Sequence, residues 1–131
     1  MKSPDGRREV VKSAYDEMRM GSPLFGCIEV LGGVAATVDR TFGEAMSFDA
    51  ASRLLAIEEF LGAPRNSPHT RAVVFDLDAG TEAVVHDQNP GFVKKLIWEP
   101  DGSLTIVAWS HLTGDAVHRS AWRDLQIALR R

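Results

Sequence analysis

Residues 42–57, FGEAMSFDAASRLLAI, align without gaps on residues 92–107, FVKKLIWEPDGSLTIV. Phe42 matches Phe92, Phe48 matches Trp98, Asp49 matches Glu99, Leu54 matches Leu104 and Ile57 matches Val107. Each copy reads as a strand, a polar turn and a second strand, because its apolar runs are too short for ordinary helices and are rich in β-formers. Phe92–Trp98 and Leu104–Trp109 flank Pro100-Asp101-Gly102, the strongest turn signal in the chain. Between the copies, Ala72–Leu77 and Glu82–His86 flank Asp78-Ala79-Gly80, a short hairpin loop with glycine available for a left-handed position. In the first copy, Arg53–Phe60 follows the polar break Asp49–Ser52. Upstream, Leu24–Leu31 and Val34–Val38 flank Gly32-Gly33, which predicts a further hairpin. Residues 63–70, APRNSPHT, hold two prolines and no periodicity and predict a loop.

The two ends are ambiguous. Val10, Val11, Ala14, Tyr15 and Met18 share a helical face over residues 8–19, yet the same stretch suits an edge strand ahead of a break at Gly21 and Pro23. In residues 119–131, Trp122, Leu125 and Leu129 suit a helix, but no clear cap precedes them. Strand or irregular structure is expected at both ends.

A repeat of about 40–50 residues lies in the range of propeller blades. The segments SFDAASRLLAI, VVFDLDAG and IWEPDGSLTIV resemble blades of the WD-repeat and TolB-like kind, in which an aromatic-led Asp-Gly turn precedes a strand and a second hairpin follows. A closed propeller needs about four or more blades and this chain holds about two. The fold is therefore read as all-β, with antiparallel meanders forming about two propeller-blade-like sheets, a half propeller or a sandwich, in a single domain over residues 1–131. Propellers host many activities, so this resemblance implies architecture and no function.

MRMGSPLFGCIEV (18–30) and HDQNPGFVKKLIWEPDGSL (86–104), taken with the chain length, are similar to small immunity proteins of bacterial polymorphic-toxin and contact-dependent inhibition systems. That resemblance implies binding to a toxin domain, commonly a nuclease, and occlusion of its active site. It transfers no residue role.

Composition is consistent with a binding protein. Of 131 residues, 44% are apolar and 25% charged, an ordinary globular mixture. The net charge of −3 is uneven: residues 1–20 carry five Lys/Arg against four Asp/Glu, residues 21–118 six against thirteen, and residues 119–131 four against one. An acidic body without a basic stripe argues against nucleic acid and suits a basic protein partner. The longest nearly unbroken apolar stretch, Val30–Val38, falls far short of the ~20 residues needed to span a bilayer. No secretory h-region is visible at the start, so the cytoplasm is expected. The lone Cys27 excludes an internal disulfide, and its apolar setting FGCIEV predicts a buried, inert thiol.

VVFDLDAGT (73–81) resembles the nucleophile motif of haloacid-dehalogenase-type phosphatases, but Ala79 is inserted before Gly80 and the chain is too short for that fold. A blade hairpin explains the same residues, leaving a small hydrolase using Asp76 and Asp78 or the histidines as a minor alternative. Ser110-His111 points to opposite faces of a strand. His86, His111 and His118 lack a spacing that places two ligands on one face, so no metal and no cofactor are expected. Trp98 takes the repeat position of Phe48 and reads as core, whereas Trp109 and Trp122 have no such counterpart and are candidate interface anchors. Glu58 and Glu59, beside Asp87 and the 63–70 loop, form the expected acidic patch, with His111 at a neighbouring strand end. The chain is expected to be a toxin-neutralising binding protein rather than an enzyme; the alternative is a self-associating β scaffold, a homodimer formed through open sheet edges.

Overall fold

A computed structural model describes residues 1–17 and 22–130. The chain is all-β with one short helix, and among the described residues its strands are β1 (Glu9–Glu17), β2 (Leu24–Leu31), β3 (Thr41–Phe48), β4 (Leu54–Gly62), β5 (His69–Asp76), β6 (Thr81–Gln88), β7 (Phe92–Trp98), β8 (Leu104–Ser110) and β9 (Gly114–Ser120). The helix is α1 (Trp122–Leu129). The strands form a six-stranded antiparallel sheet in the order β1 to β6 and a three-stranded sheet β7-β8-β9. Met18 and Gly21, which figured in the helix and break read at the N-terminal end, lie outside the described residues.

The central strands β4 and β5 are buried on both faces, which explains why LLAI and AVVF are unbroken apolar runs rather than alternating ones. One face, with Leu54, Ala56, Ala72 and Val74, packs on Val93, Leu96, Leu104 and Ile106 of the second sheet and on Leu125 and Leu129 of α1. The other face, with Leu55, Ile57, Val73 and Phe75, packs on Val10 and Ile28. The β1–β2 hairpin reaches that face because β2 and β3 share a single register position, Gly26 with Phe42, and the sheet folds over there. Each fully buried Leu, Ile, Val or Phe contributes about 1.5–3 kcal/mol by leaving water, so these two interfaces dominate the stability.

The two aligned segments each form an antiparallel hairpin with a shifted register. Phe42 pairs with Glu59 in β3–β4, and Phe92 pairs with Trp109 in β7–β8. A register shift follows in each copy, between Phe42 and Met46 and between Val93 and Lys95. At the tips, Asp49 N–H donates to the Leu54 carbonyl, and Glu99 N–H to that of Ser103. The first tip is one residue longer, and each tip carries a residue with positive φ, Ser52 at 60° and Gly102 at 85°.

Four expectations are corrected. Val34–Val38 is not a strand: Val34 and Val38 are exposed, and the segment crosses to the β5–β6 turn, where Val34 N–H donates to the Leu77 carbonyl. Gly32 serves close packing instead of a β2 hairpin with that segment, since a Cβ there would lie 2.3 Å from the Arg7 carbonyl oxygen. Residues 122–129 form a helix without a side-chain N-cap, held by burial of Leu125 and Leu129. Cys27 is exposed, because β2 alternates from Gly26 onward and turns Gly26, Ile28 and Val30 inward while Cys27, Glu29 and Leu31 face out. The 63–70 loop is shorter than expected: a 3-10 turn spans Pro64–Asn66, and β5 already begins at His69. No helix among the described residues is long and apolar enough to cross a membrane.

Candidate functional site

The tips of the two repeat hairpins stand side by side and enclose a cleft of about 660 Å³. Phe48, Asp49, Ala50 and Ala51 line one wall, Ile97, Trp98, Glu99 and Pro100 the other, and Trp122 at the start of α1 borders it. Corresponding residues of the two copies therefore face one space: Phe48 with Trp98, and Asp49 with Glu99. The Trp98 indole is fixed by donating its N–H to the Ser47 carbonyl at 2.9 Å. One oxygen of each acid is also fixed. Asp49 Oδ1 accepts the Arg53 and Leu54 amides at 2.9 Å, and Glu99 Oε1 accepts the Thr105 hydroxyl at 2.9 Å. The arrangement offers aromatic faces and two anchored carboxylates, a combination suited to a cationic side chain.

Trp122, 45% exposed, leans on the turn at Gly102, where a Cβ would lie 2.7 Å from its ring. Gly102→Ala is thus expected to cost about 1–3 kcal/mol through its positive φ and the displaced indole. Urea unfolding checks this, and an unchanged midpoint would contradict it.

The expected acidic patch is not on the surface. Glu58 is 2% exposed and Glu59 4%. Glu58 faces the second sheet and accepts the Val93 amide at 2.7 Å. Gly43 is required beside it, since a Cβ there would lie 2.0 Å from Glu58 Oε1. Burial pushes the Glu58 carboxyl up to about 8, against the pull of the Val93 amide. Glu59, on the opposite face, binds Arg40 at 2.8 and 2.9 Å and Arg71 at 2.7 Å. Burial alone would raise its pKa, but the two guanidinium groups outweigh it and the net shift is downward.

The remaining candidates are dispersed. Asp87 is exposed on β6, next to Arg71 in register, and contacts the His69 ring at 2.7 Å. His111 is exposed in the β8–β9 turn. His86 and His118 stack across the two sheets with centroids 4.1 Å apart, and burial together with His86 lowers the His118 pKa. Trp109, 36% exposed, ends a row of stacked rings running through Phe92 and Phe25 to Phe60. Asp76 is occupied in its turn: it accepts the Asp78 and Ala79 amides and binds Arg53 at 2.6 Å. Burial pushes its carboxyl up, and those bonds outweigh burial to lower it. Among the described residues no cluster of three or more His, Cys, Asp or Glu is placed to hold a metal ion.

Of the expected interface residues, only Trp122 borders the cleft. In the sequence Trp98 reads as core and Asp49 as part of a polar break, although the repeat alignment pairs Phe48 with Trp98 and Asp49 with Glu99. The chain matches no protein-family model, no curated protein and no solved structure.

Proposed function

We propose that this chain is a toxin-neutralising immunity protein of the cytoplasm, which seats a basic side chain of its toxin domain in the cleft between the repeat tips. The observation that carries the reading is the convergence of Trp98, Trp122 and Phe48 with Asp49 and Glu99 around one open space. A nuclease grips phosphate with Lys and Arg, so a side chain of that kind belongs to the toxin surface that must be covered. Aromatic residues at a cleft supply contact area at low entropic cost, and the acids select charge and speed encounter. The reading asks no chemistry of the chain itself. It also rests on the resemblance of residues 18–30 and 86–104 to immunity proteins.

The test is affinity capture from the native host, followed by expression of the captured domain alone and with this chain. The expected result is a domain that arrests growth alone and is tolerated in co-expression. Trp122→Ala is expected to weaken binding about thirtyfold, a hot-spot loss. Glu99→Gln, which keeps the acceptor for Thr105, is expected to slow association and flatten its salt dependence. A captured toxin bound equally well by both variants would move the interface elsewhere. A toxin that still kills in the presence of this chain would end the immunity reading.

A further inference from the structure

Two sheets present four strand edges, and among the described residues three of them are covered or broken. At β1 the register shifts between Ser13 and Asp16, and the N-terminal residues double back so that Val10 N–H donates to the Met1 carbonyl and Ser3 N–H to that of Arg8. At β6, α1 packs alongside and His118 stacks on His86. At β7, Glu58 accepts the Val93 amide and Trp98 is tied to Ser47 of β3. These are the usual ways in which a sheet edge is kept from pairing.

The β9 edge meets the first sheet where His118 stacks on His86 and carries the charges of Asp115 and Arg119, but among the described residues it has neither a register shift nor a backbone cover. Its seven residues, GDAVHRS, contain no proline. Its ladder to β8 runs without a shift from Leu104 with Ser120 to Ser110 with Gly114, whereas the β1–β2, β3–β4, β4–β5, β5–β6 and β7–β8 ladders are all interrupted. Apart from that ladder, no backbone hydrogen bond to Gly114–Ser120 is made among the described residues. In the first repeat the third strand, β5, has β6 at its side. The second repeat ends at β9, where the chain turns into α1, so its meander is one strand short.

We propose that β9 pairs antiparallel with β9 of a second copy across a two-fold axis, joining the two three-stranded sheets into one of six. The sequence of the edge identifies the occupant. Asp115, Val117 and Arg119 lie on the outer face, opposite Trp109, Val107 and Thr105 of β8, whose alternate residues Leu104, Ile106 and Ala108 are buried. A two-fold axis through Val117 sets Val117 against its own copy and Asp115 against Arg119 of the second copy, twice. Moving the axis by one residue either way puts one of those charges against Val117 instead. Val117 is 69% exposed in the single chain, and this pairing covers it. An isologous contact of this kind closes on itself and leaves no β9 edge free to propagate. The proposal is independent of the toxin reading.

Sedimentation of the intact chain over a range of concentrations tests the pairing. The expected result is a reversible dimer. Arg119→Asp and Asp115→Arg each set like charges opposite one another at both ends of the ladder, and each is expected to raise the dissociation constant about tenfold or more. The double variant restores complementarity and is expected to return it towards the parent value. The intrachain partners of these residues, Asp101 and Lys94, are exposed pairs, so the single variants retain the fold, which circular dichroism checks. Val117→Lys, at a site already exposed, sets lysine against lysine at the axis and is expected to dissociate the dimer. A parent chain that is monomeric at every concentration overturns the proposal. So does a dimer indifferent to these substitutions, or one that the double variant fails to restore.

Discussion

Replacing Glu58 with Gln is expected to stabilise the protein at pH 8 by about 3 kcal/mol or more and to change little at pH 4.5. Glu58 is enclosed between β4 and β7, and burial holds its carboxyl at about 8 against an ordinary value of 4.5. A carboxyl whose folded pKa is raised binds its proton more tightly in the native state. Its contribution is fully present below the unfolded value and is lost as pH rises towards the folded one. The slope is about 1.4 kcal/mol per pH unit across that window. Gln keeps an oxygen for the Val93 amide and has no proton to lose, so its stability lacks this slope. His118 is shifted downward and opposes the trend near its own titration, but it is present in both proteins and cancels in the difference. Urea unfolding of the two proteins at several pH values between 4.5 and 8 makes the measurement. Parallel curves would show that the Glu58 carboxylate is solvated well enough to ionise freely.

The hairpins were legible where backbone conformation demands a particular residue. Gly80 and Gly102 take positive φ at the β5–β6 and β7–β8 turns, and glycine closing an Asp-led turn marks such positions in any chain. Where long-range packing decides, the signal was weaker. Gly32-Gly33 has the chemistry of a tight turn, yet β2 is already engaged with β1, and Gly32 is held against Arg7. The helix α1 has no cap to announce it, and what holds it is the burial of Leu125 and Leu129 against strands far away in the chain. Glu58 and Glu59 read as surface because charged residues are seldom buried. What buries Glu58 is an amide from another sheet, at Val93, and what buries Glu59 is a pair of arginines.

The candidate site was half visible for a related reason. The alignment of residues 42–57 with 92–107 matches Phe48 to Trp98 and Asp49 to Glu99, and the tips of their hairpins differ by one residue in length. Nothing within either copy says that the tips meet. Their meeting follows from β7 lying against β3, with Trp98 bonded to Ser47, and only then do the repeat-matched turn positions become the two walls of a cleft. The same geometry separates the exposed ring of Trp109 from that of Trp122, so the two tryptophans read as equivalent anchors have different surroundings: a stacked aromatic row for one and the cleft for the other.

Arg40→Met is expected to cost about 3 kcal/mol at pH 7, far more than loss of any exposed ion pair in this chain. Exposed pairs such as Arg7–Asp5 are worth about 0–1 kcal/mol, because water and side-chain entropy cancel most of the attraction. Arg40 is different in kind. Its guanidinium lies over the rings of Phe42 and Phe75, holds Glu59 through two bonds and Glu82 through two more, and donates to the Ala36 carbonyl at 2.7 Å. Methionine retains much of the apolar volume and removes the charge, leaving a buried Glu59 with Arg71 alone. Breaking one side of a buried pair costs about 3–5 kcal/mol when no other partner remains, and Arg71 keeps the loss to the lower end. The sign with pH is opposite to that of Glu58. Glu59 has a lowered pKa, so its contribution is present above 4.5 and is lost as pH falls through the folded value; the gap between parent and variant should therefore narrow in acid. Pairing the substitution with Glu59→Gln in a double-mutant cycle isolates the coupling, since Gln keeps the shape and drops the buried charge. A cost below about 0.5 kcal/mol would place Arg40 among the surface pairs. A cost near the expected value would make Arg40 the clasp that holds the segment 34–40, an exposed crossing without strand structure, against the folded sheet.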